Sequence, residues 1–192
     1  MSSSIRDKVY LPIVAVQLVG TLVLDLLPLY PPSLWQSPSS PLHSLLSLRT
    51  WWASYSGDPY FATLTPEPWL EGFLYVEALV QFPLTAYLVW KFSQGLGLGL
   101  GLGLGLGQRR TSGPTELAGL AYGCVTFMGA LACCYDLWHM GPERVRGDCW
   151  GRLFWGTYLP FCVVPAVMAV DMFLRLLPRV QSTESTALRA TK

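Results

Sequence analysis

The sequence predicts an all-α membrane protein, a four-transmembrane-helix bundle with a short interfacial helix in the first luminal loop. Of its 192 residues, 52% are hydrophobic and only 13% are charged, against the ~25% charge of ordinary soluble domains. Four apolar stretches, at about 9–29, 69–90, 115–137 and 153–177, are long enough to cross hydrocarbon as helices. Eight Trp and nine Tyr suit aromatic belts at the two membrane interfaces. A mean hydropathy of only +0.38 leaves room for polar loops between the spans. With a net charge of +1 and no basic run longer than Arg109-Arg110, nothing points to a nucleic-acid partner.

Residues 1–8 form a short polar N-terminus carrying Arg6 and Lys8. The apolar run 9–29 that follows is longer than a signal-peptide core, contains Asp25 and lacks a small-residue cleavage site. It reads as a retained first span ending near Pro28. Residues 30–68 are a Pro/Ser-rich loop, long enough to carry structure of its own. Within it Leu42–Ser54 spaces Leu42, Leu45, Leu46, Leu48, Trp51 and Trp52 as a short helix lying on the interface. Gly57-Asp58-Pro59 stops that helix in a turn.

Trp69–Trp90 is the organising span: past its first turn, Glu77 is its one charge. Glu77 and Gln81 share a face, and Pro83 removes an amide just beyond them and bends the helix. Residues 95–107 alternate Gly and Leu, which reads as slippage in a permissive loop more than as a strand. The third span carries Gly119, Gly123 and Gly129 for close helix packing. A polar loop at 138–152 leads to the fourth span, which Pro160 and Pro165 are expected to bend. The tail, 178–192, is polar and expected to be disordered. Residues 9–177 thus form one transmembrane domain.

Charge sets the orientation. Arg6, Lys8, Lys91, Arg109, Arg110, Arg175, Arg179, Arg189 and Lys192 fall on one side, and Arg49, Arg144, Arg146 and Arg152 on the other. The larger set places both termini in the cytosol. Five cysteines without C-x-x-C spacing and only two His make a metal site unexpected, and no cofactor is implied.

The acids in or at the ends of spans are Asp25, Glu77, Asp136 and Asp171. Asp171 lies four residues before Arg175, the spacing of a helical ion pair. Asp136 sits at the luminal end of its span, within reach of headgroups. Asp25 and Glu77 fall at similar depths on neighbouring spans and are able to meet. Two carboxyls in low dielectric do not both ionise readily, so the expected state is one neutral acid donating to one carboxylate. Such a pair suits an amine or a hydroxyl at the end of an apolar ligand. The alternative is a polar clamp that only fixes helix packing. No His accompanies Glu77 on its helix, and no nucleophile–base arrangement occurs, so catalysis is the weaker reading.

Four segments carry a family likeness: Leu24-Asp25-Leu26, Trp51-Trp52-Ala53 with Gly57-Asp58-Pro59, Gly72–Pro83, and Tyr158–Pro165. In these the chain resembles the transmembrane protein 97 (sigma-2 receptor) family, within the wider group sharing the emopamil-binding-protein domain, and a fungal member in particular. The resemblance implies a multi-pass endoplasmic-reticulum protein with a ligand cavity opening towards the bilayer. It implies that Asp25 and Glu77 contact the ligand, that Gln81, Trp51 and Tyr158 line the pocket, and that Asp58 is structural. Sterols or cationic amphiphiles as ligands, and a homodimer, are further implications.

The chain departs from the family at Trp52, where the animal receptor has Tyr, in the Gly-Leu insertion, and at Leu188–Lys192, which carries no lysine-rich retrieval signal. Phe73 stands where the sterol isomerases have the His that precedes the helix-two Glu. The expected function is therefore sterol or lipid binding. Assistance in delivering mitochondrial precursors from the endoplasmic reticulum, and sterol Δ8–Δ7 isomerisation, are the alternatives.

Overall fold

The structure, a computed structural model, describes residues 3–95, 112–140, 144–145 and 147–190. The Gly-Leu repeat expected as a loop lies outside the described residues except for Gly95. Among those described, four helical segments are long and apolar enough to cross a bilayer: Ile5–Asp25, Pro68–Gln94, Gly113–His139 and Asp148–Thr183.

The first span is α1 (Ser3–Gly20), prolonged by a π turn at Thr21–Asp25 and closed by a 3-10 turn at Leu27–Leu29. In the long loop, α2 (His43–Ser56) ends at Gly57, whose left-handed φ of +72° lets its amide cap the carbonyl of Ala53. A side chain there would be strained twice over, because a Cβ would also fall 2.9 Å from that of Cys149. The second span is α3 (Pro68–Val76), a π turn at Glu77–Gln81, and α4 (Phe82–Gly95). The third is α5 (Gly113–His139). The fourth is α6 (Gly147–Leu153), a π turn at Phe154–Tyr158, and α7 (Leu159–Ala190).

The three π turns share a sequence feature. Each is followed within three residues by a proline: Pro28, Pro83 and Pro160. A proline has no amide to bond the carbonyl four residues back and its ring clashes with that carbonyl. The turn ahead of it widens, and an amide reaches back five residues instead: Leu26 to Thr21, Phe82 to Glu77, Leu159 to Phe154. Thus Pro83 and Pro160 act by widening the turn before them. Pro12, Pro165 and Pro178, by contrast, sit inside α1 and α7 without interrupting them.

Packing is closest between α5 and α7, as the small residues of the third span predict. A Cβ on Gly123 would lie 2.7 Å from the carbonyl oxygen of Pro165, and one on Gly119 would lie 3.0 Å from Met172. In turn α5 packs on α4 and α4 on α1. A seal of Tyr10, Val14, Leu88, Phe92, Tyr122, Met168 and Met172 joins all four spans at the end where α1 begins. At that end charge ties α1 to α7. Asp171 accepts from Arg6, from the Tyr10 hydroxyl at 3.1 Å and from Arg175 at 2.6 Å, and Arg175 also pairs with Asp7 at 2.5 Å. The Asp171–Arg175 pair is the one its spacing predicts. Glu116 is buried in the first turn of α5 and pairs with Arg179 at 2.9 Å.

Two boundaries differ from the sequence reading. The loop 138–152 is shorter than expected, because α6 begins at Gly147. The tail is helical to Ala190 where disorder is expected after Pro178. Residues 179–190 contain no glycine or further proline to stop a helix, and Arg179 is anchored on Glu116.

The α5–α7 contact sets a test. Gly123→Leu is expected to abolish a monodisperse folded peak, since it meets backbone that cannot retreat, whereas Gly129→Ala meets only the Phe73 ring at 3.5 Å and is expected to be tolerated. Size-exclusion profiles and thermal unfolding in detergent check both. Equal behaviour of the two variants would refute the packing account.

Candidate functional site: an acid pair in an intramembrane cavity

The three widened turns converge on one cavity of about 530 Å3. Thr21–Asp25 contributes Leu24 and Asp25, Glu77–Gln81 contributes both of its end residues, and Phe154–Tyr158 contributes Gly156, Thr157 and Tyr158. π turns recur at functional sites because they swing side chains off the regular helical face. Most other wall residues are apolar, among them Val16, Leu70, Phe73, Leu74, Val125 and Phe161.

Asp25 and Glu77 do come together: both line the cavity, with their carboxyls close enough to interact. Around them the polar groups form a chain across three spans. Thr21 Oγ1 donates to Glu77 Oε1 at 2.6 Å, and Gln81 Nε2 donates to the same oxygen at 3.1 Å. The Thr126 hydroxyl donates to Gln81 Oε1 at 3.0 Å. Gln17 lines the cavity as well. The expected shared face of Glu77 and Gln81 is present, with Gln81 buried at the inner edge of the cavity.

The loop 57–66 closes the other side. Asp58 is 1% exposed; its Oδ2 accepts from the Tyr158 hydroxyl at 2.8 Å and its Oδ1 from the Tyr60 amide at 3.0 Å. Burial pushes the Asp58 carboxyl from its usual 3.8 up to about 6, against the pull of those donors. The Tyr60 hydroxyl donates to Asp136 Oδ2 at 2.9 Å and to the Cys133 carbonyl at 3.2 Å, and burial raises its pKa above the usual 10. Asp136, expected to reach the headgroups, instead anchors this loop. The two tyrosines thus latch the loop to the third and fourth spans.

Arg49 is the residue that sequence reasoning missed. It is 4% exposed and lines the cavity. Its guanidinium donates to the carbonyls of Leu24 at 2.6 Å, Tyr60 at 3.1 Å and Thr63 at 3.0 Å, and lies 4.7 Å from the Phe61 ring. Leu24 is the carbonyl orphaned by Pro28, so Arg49 supplies the donor the proline removed. Burial lowers its pKa and the Asp25 and Asp58 carboxylates oppose that, leaving a charged guanidinium. A signal was present, since Arg49 is the one charged residue in the fourteen of α2.

Of the other expected pocket residues, Tyr158 lines the cavity and Trp51 does not. Trp51 is 57% exposed and stacks on Tyr55 at 5.5 Å, while its neighbour Trp52 lines the cavity. The helical period explains the exchange: Trp52 lies three residues from Arg49 on the inner face, and Trp51 lies four from Tyr55 on the outer one. Val16, Val76 and Phe161 line the cavity yet are themselves exposed on the bundle's flank. The cavity therefore opens sideways.

These features define a multi-pass membrane protein that encloses a largely apolar pocket with an acid pair in its wall. Residues 44–172 match the family described as EBP: EXPERA (EXPanded EBP superfamily). The chain belongs to that superfamily. A comparison with curated proteins finds no match.

Asp58 yields a pH test. Because its folded pKa is raised, the folded state holds the proton more tightly than the unfolded chain. Its contribution to stability is therefore full below pH 3.8 and lost as pH rises through about 6. Lowering the pH from about 7.5 to 5 is expected to stabilise the wild type relative to Asp58→Asn, by roughly 1 kcal/mol. Thermal unfolding of both proteins across that range measures it; a difference that does not change with pH contradicts it.

Proposed function

We propose that this protein binds a sterol or related lipid in the endoplasmic-reticulum membrane, in the manner of the sigma-2 receptor, with Asp25 and Glu77 anchoring the ligand's polar end. One observation carries the reading: two neighbouring carboxyls, Asp25 and Glu77, stand in the wall of a mostly apolar cavity of about 530 Å3. That volume lies within the ~300–1,000 Å3 of small-molecule pockets, whose usual form is an apolar lining with a few fixed polar groups. A hydroxyl or amine bound there can donate to the carboxylate while the hydrocarbon body lies along Phe73, Leu74 and Val125. Access through the flank suits a ligand that arrives dissolved in the bilayer. The positive-charge count supports both termini in the cytosol.

Binding accounts for the site better than isomerisation does. Phe73 lines the cavity one helical turn before Glu77, where the isomerase chemistry calls for a second proton-handling group. Gln81 and Thr21 hold the Glu77 carboxyl in place beside Asp25, an arrangement suited to orienting a polar group.

Asp25→Asn is expected to weaken binding of a radiolabelled cationic amphiphile by ~10–100-fold, the effect of losing a charged hydrogen-bond partner, with thermal unfolding little changed. Unaltered affinity would remove Asp25 from the site. Mass spectrometry of lipids co-purifying with wild type and with Glu77→Gln is expected to show sterol retained by the first and depleted in the second. Recovery of peptides in place of lipid would favour the precursor-delivery role.

A further inference from the structure

We propose that the outer flank of α2, together with Arg152, is a binding site for a phospholipid headgroup. It seats the helix on the leaflet away from the end where α1 begins, and it stands whatever the cavity binds.

Three stripes run along α2. Arg49 and Trp52 face inward and line the cavity. Ser47, Thr50 and Ser54 form an exposed polar stripe on the opposite side. Between the two, at the same helical spacing, Leu48, Trp51 and Tyr55 form an exposed apolar stripe. Water satisfies the serines and threonine, whereas an aromatic stripe beside them calls for an apolar neighbour. The Trp51 and Tyr55 rings stack at 5.5 Å, and neither the indole N–H nor the hydroxyl has a partner among the described residues. Rings that are apolar in body and polar at the tip collect where headgroups meet acyl chains.

Arg152 supplies the charge. It is exposed at the end of α6, with its guanidinium 5.7 Å from the Tyr55 ring and a weak contact to Cys149 Sγ at 3.5 Å. Among the described residues no carboxylate pairs with it, whereas Arg144 of the same loop is taken by Glu67 at 3.2 Å. An open guanidinium fork beside an aromatic stack fits a phosphodiester, with the acyl chains against the apolar stripe. Trp155, exposed three residues on from Arg152, continues this surface onto the fourth span. The patch is therefore continuous with a flank that meets the bilayer.

Native mass spectrometry of the full-length protein in detergent tests this, with three probes: phosphatidylglycerol, diacylglycerol of the same chains, and inorganic phosphate. The wild type is expected to bind phosphatidylglycerol at least ~10-fold more tightly than either of the others. Arg152→Gln is expected to weaken that binding ~10–100-fold, the effect of losing charged hydrogen bonds. Trp51→Ala weakens it as well, while Arg144→Gln, which removes an arginine already paired, leaves it unchanged. A folded Arg152→Gln protein with wild-type affinity overturns the proposal, and so does an equal loss in Arg144→Gln. Equal affinity for diacylglycerol, inorganic phosphate bound in place of the lipid, or a wild type that retains no phosphatidylglycerol also overturns it. If Arg152→Gln does not fold, Trp51→Ala decides, and an unmoved affinity there overturns the proposal.

Discussion

A proline inside a membrane helix removes an amide where no water can take its place, and this constraint shapes the molecule. Pro28, Pro83 and Pro160 each leave a carbonyl without its helical partner, and each is preceded by a turn widened to five-residue spacing. The turns face one another. Their residues bring Asp25, Glu77, Gln81 and Tyr158 to a common space. The same irregularity that a uniform span would avoid is what makes the bundle hollow at this level. Above and below it, ordinary packing resumes.

Charge is distributed to match. At the end where α1 begins, Arg6, Asp7, Asp171 and Arg175 satisfy one another above a seal of aromatic and aliphatic side chains. That end is closed by ion pairs. In the cavity the balance is different, since Asp25, Glu77, Asp58 and Arg49 are held by hydroxyls, amides and carbonyls at least as much as by one another. Polar groups fastened in this way keep their positions with or without a ligand, the condition under which a binding site need not be assembled by what it binds.

Much of this was legible in the sequence because its causes are local. Span lengths, the stop at Gly57, the Asp171–Arg175 spacing and the small residues of α5 are all readable within a few turns of chain. The meeting of Asp25 and Glu77 was legible too, since an acid in an apolar span has few places to go. What escaped was non-local. Arg49 was counted as one luminal charge, although its isolation on α2 was a signal; its partners lie 11 to 25 residues away. Tyr60 and Asp136 are 76 residues apart, and no periodicity links them. Trp51 and Trp52 can be told apart by the face each takes on α2; the family likeness assigned Trp51 to the pocket, and Trp52 is the one that lines it.

If the proposed binding role holds, the sideways opening sets what the pocket's occupancy responds to. A molecule that arrives through the flank is already dissolved in lipid, so its effective concentration is its mole fraction in the leaflet. Aqueous solubility drops out of the equilibrium. Occupancy of the pocket then reports the composition of the membrane, and two compartments with the same watery contents but different bilayers would load it differently.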